Sequence, residues 1–266
     1  MNLTLDYLGH LARDSARFGE VLRQAPSDAP VPSCPDWTAD DLLWHLGEVQ
    51  WFWGTIVREN LTDGSQAEAR KPPRPRERSD LFDFYTAASR DLGENLAAKT
   101  TDTHVWTWSD DQTVGFIRRR QAQEALMHRL DAELTAGDRS PMDPLLSADG
   151  VDEALRIMYG VLPSWGTFTA ERGKRLRLRA TDTDHSWLVQ LGRLSGTDPD
   201  DSAVVDELAI AVADRDPGDD ADATVTGSAA DLDCWLWHRP AVGPLARSGD
   251  EEVLNRFDST IAPGID

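Results

Sequence analysis

At 266 residues the chain is long enough for two domains of ordinary size. Hydrophobic residues at 40% and charged residues at 28% describe a globular protein, and no apolar run approaches the roughly 20 residues needed to cross a bilayer. A formal net charge of −20 offers no basic surface for a polyanion, which argues against nucleic acid and anionic membrane as partners.

The first stretch, MNLTLDYLGHLARDSARFGEVL, has the 3.6-residue period of an amphipathic helix over 3–24, with Leu5, Leu8, Leu11, Phe18 and Leu22 near one face. It lacks the basic start and unbroken apolar core of a signal peptide, so a cytoplasmic protein is expected. Without a secretory signal, the distant pair Cys34 and Cys234 is not expected to form a disulfide. A second helix is predicted from Thr38 to about Arg58. Thr38 is a good N-cap, Asp41 stands where it completes a capping-box-like pair, and Trp37 and Leu42 are placed as a hydrophobic staple. Residues 59–79 are polar and rich in Pro and Arg, and read as a solvated loop. A third helix is expected over 80–98, and a fourth from the end of WTWSDDQT to about Thr135. Four helices of these lengths suggest a bundle over 1–140.

The Gly-, Pro- and Asp-rich segment 137–150 reads as a linker, and the pattern changes beyond it. A helix at 151–161 precedes period-2 stretches at 175–180, 185–192, 207–213 and 222–228, then helices at 228–239, capped by Ser228, and 251–257. The second domain, 148–266, is therefore expected to be α+β with a small, mostly antiparallel sheet. Its acidic stretches 198–201 and 214–223 lack the ligand order of an EF-hand, and no nucleotide-binding glycine motif occurs.

Two helices place polar residues where a bundle should be apolar. In QEALMHRLDAE, Glu124 and His128 are four apart, offset by only about 40° and about 6 Å along the axis, so both reach one point. Asp131 shares their face, and Arg120 continues the stripe toward the N-terminus. In the second helix His45 lies within the apolar stripe Leu42, Leu46, Val49, Phe52, Trp53 and Ile56. Two imidazoles and one carboxylate suit zinc and leave a fourth position open. Spacing alone also fits a surface ion pair beside a core histidine, and both readings stand at this level. His10, His104, His185 and His238 have no partners at ligand spacing.

VPSCPDWTADDLLWHLGEVQWF (31–52) and VWTWSDDQTVGFIRRRQAQEALMHRLDAEL (105–134) resemble the opening motif and the last helix of the N-terminal domain of the mycothiol-dependent maleylpyruvate isomerase-like family. TVTGSAADLDCWLWHRP (224–240) is similar to that family's smaller C-terminal domain. The resemblance implies a DinB-like four-helix metal-binding bundle followed by a sterol-carrier-like (SCP2-like) α+β domain. It also implies His45, Glu124 and His128 as ligands of zinc or another divalent metal, and mycothiol as a thiol cosubstrate. Relatives often carry a histidine where this chain has Gln123, but that position is outside the implied ligand set. Metal-bound thiol is held as thiolate, which adds to an electrophilic carbon of a small-molecule substrate. The thiol leaves again in an isomerase and stays attached in an S-transferase. Arg239 is implied, more loosely, as a group for the substrate's carboxylate, and Asp131 as a partner that orients His128 or Arg129. A water-activating hydrolase and a small-molecule- or lipid-binding protein with a structural metal are the alternatives; a monomer or homodimer is expected.

Overall fold

The computed structural model describes residues 5–200, 202–214 and 221–265, and its contacts divide the chain into two compact units, Met1–Pro141 and Met142–Asp266. In the first unit, α1 (Tyr7–Gln24) leads into a hairpin of β1 (Pro30–Val31) and β2 (Cys34–Thr38). α2 (Ala39–Glu59), a single helical turn α3 (Ser65–Glu68), α4 (Arg78–Ala97) and α5 (Val114–Ala136) follow.

The start of α2 is fixed by its own sequence. The Thr38 hydroxyl accepts from the Asp41 amide at 3.3 Å, and the Asp41 carboxylate accepts from the Thr38 amide at 2.8 Å. Burial works against ionisation of Asp41, but these Thr38 hydrogen bonds and the ion pair with Arg74 prevail and hold its pKa at about 2. α1, α2, α4 and α5 pack around a shared apolar interior that includes Phe18, Leu22, Leu42, Leu46, Leu81 and Tyr85. Gly47 and Gly54 let α2 approach α4 closely: a Cβ at Gly47 would lie 3.3 Å from the Phe84 ring, and one at Gly54 3.4 Å from the Leu92 backbone.

α5 departs from the amphipathic pattern. It is buried on nearly every side, including Arg129, Asp131 and Glu133, so its polar residues have to find partners inside the unit. It ends at Gly137, whose φ of 70° is the left-handed conformation that stops helices.

The loop 59–79 is more ordered than its composition suggests. Arg70 pairs with Glu59 at 2.7 Å, Arg74 with Asp41 at 2.5 Å, and Arg78 donates to the carbonyls of Leu22 and Ala25 at 2.6 and 2.9 Å. Three of its arginines, Arg70, Arg74 and Arg78, are thus spent on neighbouring helices.

In the second unit α6 (Pro144–Glu153) begins seven residues earlier than the predicted helix, because Asp143 caps it and Pro144 takes its first position. A π-helical turn over Ala154–Met158 prolongs it. β3 (Thr167–Ala180), β4 (Ser186–Thr197), β5 (Val204–Val212), β6 (Ala223–Gly227) and β7 (Ala246–Gly249) form a sheet in the order β5-β4-β3-β6-β7. Only β3 and β6 pair in parallel among the described strands. The alternation of RLRLRA sends Leu176, Leu178 and Ala180 inward while the intervening arginines stay partly or fully exposed. α7 (Ala229–Leu236), capped by Ser228, and α8 (Glu251–Ile261) complete the core through Leu232, Val253 and Phe257. Residues 215–220 of the acidic stretch lie outside the described residues. Both cysteines are free thiols, Cys34 partly buried and Cys234 buried.

Candidate metal centre

His45 on α2 and Glu124 and His128 on α5 bring one ligand atom each to within 4.8 Å of one another. Glu124 Oε1 stands 3.0 Å from His128 Nε2 and 3.5 Å from His45 Nε2. A zinc ion bonded at about 2.1 Å to three corners of a tetrahedron needs its ligands about 3.4 Å apart. The two carboxylate–imidazole pairs bracket that edge, and the two histidine rings meet edge-on with centroids 4.8 Å apart. The donor set therefore fits a divalent ion of zinc's size and preference.

The environment gives the cluster its electrostatics. Burial opposes ionisation of Glu124, but hydrogen bonds with His128 and His45 and the charges of His128 and Arg120 outweigh it, holding the carboxyl well below its usual range. Arg120, itself buried, reaches the second Glu124 oxygen at 3.3 Å. Burial also opposes protonation of His128, yet hydrogen bonds to Asp131 and Glu124 push its pKa up to about 9. Asp131 Oδ2 lies 3.0 Å from His128 Nδ1 and is 0% exposed, so it is an orienting partner and not a surface carboxylate.

The sign of the resulting pH effect is definite. In the metal-free protein the imidazolium pairings stabilise the fold fully below the ordinary histidine pKa of 6.5, and that contribution is lost as pH rises through about 9. A metal ion competes with the Nε2 proton, so the apparent affinity for zinc should rise between pH 6.5 and 9. Competition against a chelator of known pH behaviour measures this; an affinity flat across that interval contradicts the assignment.

Two further contacts escaped the sequence reading or were only half-read. Trp37, expected as a staple, also lies over the site, its ring centroid 4.7 Å from that of His45 and 6.4 Å from that of His128. Ser33 Oγ lies 2.5 Å from Asp131 Oδ1. The short strands that place both were too brief to register as periodicity. Cys34 sits in the same hairpin as a partly buried strand residue. Arg239 belongs to the second unit, just beyond α7, where its Nη1 donates to the Trp237 carbonyl at 2.7 Å.

Helices that bring together a His/Glu/His cluster, followed by a separate unit built on a mixed sheet, define a two-part chain with a candidate metal site in its helical part. Its first part matches the family model described as "Mycothiol maleylpyruvate isomerase N-terminal domain" over residues 8–133, and its second the "MDMPI C-terminal domain" over 146–256. The chain belongs to the mycothiol-dependent maleylpyruvate isomerase family. Among solved structures it resembles the mycothiol-dependent maleylpyruvate isomerase, with TM-score 0.57 at 12% identity over 92% of this chain and 93% of that one. A histidine-to-alanine mutant of that isomerase matches with TM-score 0.58, at the same identity and coverage. At this identity the likeness is one of fold. No curated protein sequence matches the chain. Among the described residues no helix is long and apolar enough to cross a membrane.

Proposed function

We propose that this protein is a metal-dependent, thiol-using enzyme, an isomerase or S-transferase that takes mycothiol as cosubstrate and acts on a small electrophile. In this reading the first unit is a DinB-like four-helix bundle whose His45, Glu124 and His128 hold a divalent ion, zinc by the character of the donors. The second unit is an SCP2-like domain. The observation that carries the reading is the convergence of these three side chains from two helices to within 4.8 Å, in a chain of this family.

A divalent ion held by three protein ligands keeps a coordination position for a thiol sulfur and favours its thiolate at neutral pH. The remaining work belongs to the chain's own residues. Asp131 holds the Nδ1 proton of His128, which leaves Nε2 free to act as a ligand. Arg120 offsets the buried charge of Glu124. Trp37 covers the two imidazoles and reduces the access of water to them. Arg239 is assigned to an anionic group of the substrate, as a guanidinium suits a carboxylate.

The test is a titration of the zinc-loaded protein with mycothiol, following thiolate absorbance in the ultraviolet and the heat of binding. The reading expects about one thiolate per protein, lost in His45→Ala. Zinc bound with no response to mycothiol would overturn the thiol assignment and leave a water-activating hydrolase in its place.

A further inference from the structure

We propose that Ser33, at the tip of the β1–β2 hairpin, is a positioning residue for the metal centre: it fixes the carboxylate that in turn fixes the ring of His128. The inference rests on the metal-site reading above and extends it to an element outside the two ligand-bearing helices.

The covalent layout makes the hairpin a brace between those helices. The ladder pairs Pro30 with Thr38 and Val31 with Cys34, which encloses residues 32 and 33 in a two-residue turn. β2 then runs directly into α2 through Thr38, whose capping box locks strand and helix together. The hairpin is thus rigidly joined to the helix that carries His45. From its tip Ser33 reaches across to α5, where its hydroxyl donates to Asp131 Oδ1 at 2.5 Å. The other oxygen of Asp131 holds His128 Nδ1 at 3.0 Å, and His128 Nε2 faces Glu124 at 3.0 Å. Four groups therefore stand in series, from a turn hydroxyl to the cluster.

Asp131 is fully buried, and both of its carboxylate oxygens are engaged, Oδ1 by Ser33 and Oδ2 by His128. Pinning Oδ1 sets the plane of the carboxylate, and with it the direction along which Nδ1–H must point. The ring of His128 and its Nε2 then have one orientation, facing Glu124 and His45. The same hairpin carries Trp37, whose ring lies against both histidines, so one nine-residue element touches two of the three candidate ligands: His45 by packing, His128 by packing and through Asp131. Partners at one remove from a metal commonly change its affinity by about 10- to 100-fold when lost.

The experiment compares wild type with Ser33→Ala, Ser33→Thr and Asp131→Asn. Zinc affinity is measured by chelator competition, and the imidazole Nδ1–H of His128 is observed by long-range nitrogen–proton NMR on histidine-labelled, zinc-free protein. Ser33→Ala is expected to weaken zinc about tenfold and to shift or broaden the His128 Nδ1 signal. Ser33→Thr, which keeps the hydroxyl, should stay near wild type, and Asp131→Asn should weaken zinc at least as much as Ser33→Ala. Wild-type affinity together with an unmoved His128 signal in Ser33→Ala overturns the proposal and leaves the metal site standing. If wild type itself binds no zinc, the metal reading fails. The NMR signal then decides separately whether Ser33 orients the ring.

Discussion

Replacing His128 by alanine is expected to abolish binding of a divalent ion and to destabilise the metal-free protein by about 3–5 kcal/mol. The ring is held between two carboxylates, Asp131 at 3.0 Å on Nδ1 and Glu124 at 3.0 Å on Nε2, and its protonation is favoured there. Without it Glu124 keeps Arg120 at 3.3 Å, but Asp131 stays fully buried with its Oδ2 stripped of its imidazolium partner. A buried charge left behind costs more than the pair contributed. The loss should be full at and below neutral pH and shrink as pH rises through about 9, where the wild type loses its imidazolium. Elemental analysis and urea unfolding of the two proteins measure both effects. A full equivalent of metal with an unchanged unfolding midpoint in His128→Ala would contradict the account.

Arg129→Met should produce a loss of similar size, about 3 kcal/mol, while leaving metal content intact. Arg129 is the neighbour of His128 in sequence but points to α1, where Nε lies 3.2 Å from Asp14 Oδ1, and Nη1 lies 3.6 Å from Glu133 on α5 itself. Glu133, 0% exposed, retains Arg17 at 3.1 Å and the Ser140 hydroxyl at 2.7 Å in the variant. Asp14 loses its main cation. Burial already pushes the Asp14 pKa up, with Arg129 the chief force holding it down. In Arg129→Met that carboxyl rises further, so the deficit in stability should grow as pH increases through its new pKa. Thermal unfolding across pH, beside a zinc assay, separates this structural network from the metal cluster. Loss of zinc in Arg129→Met would show that the two faces of α5 are not independent.

That one helix serves two buried polar networks explains what could be read in the sequence. The i, i+4 spacing of Glu124 and His128 states their common direction, and the apolar stripe of α2 states where His45 points. Convergence needed only that the two helices pack, which their length and caps already favoured. The strands of the second unit were legible from alternation in RLRLRA and ELAIAVA. The parallel pairing of β3 with β6 was not, because it joins segments far apart in sequence and leaves no local mark. The hairpin at 30–38 was hidden for a different reason. β1 has two residues and β2 five, with Pro35 inside, so neither shows a period; the contacts of Ser33 with Asp131 and of Trp37 with the two histidines appear only in the folded chain. The early start of α6 was present in Asp143–Pro144 but read as a breaker, since the same dipeptide ends one segment and opens another.

The account depends most on a single point in space between α2 and α5. A crystal of the protein grown with zinc, with diffraction recorded on either side of the zinc absorption edge, examines that point directly. The account predicts one anomalous peak about 2.0–2.2 Å from Nε2 of His45, Nε2 of His128 and an oxygen of Glu124. Zinc found elsewhere on the protein, with those three side chains still paired only to one another, would contradict it.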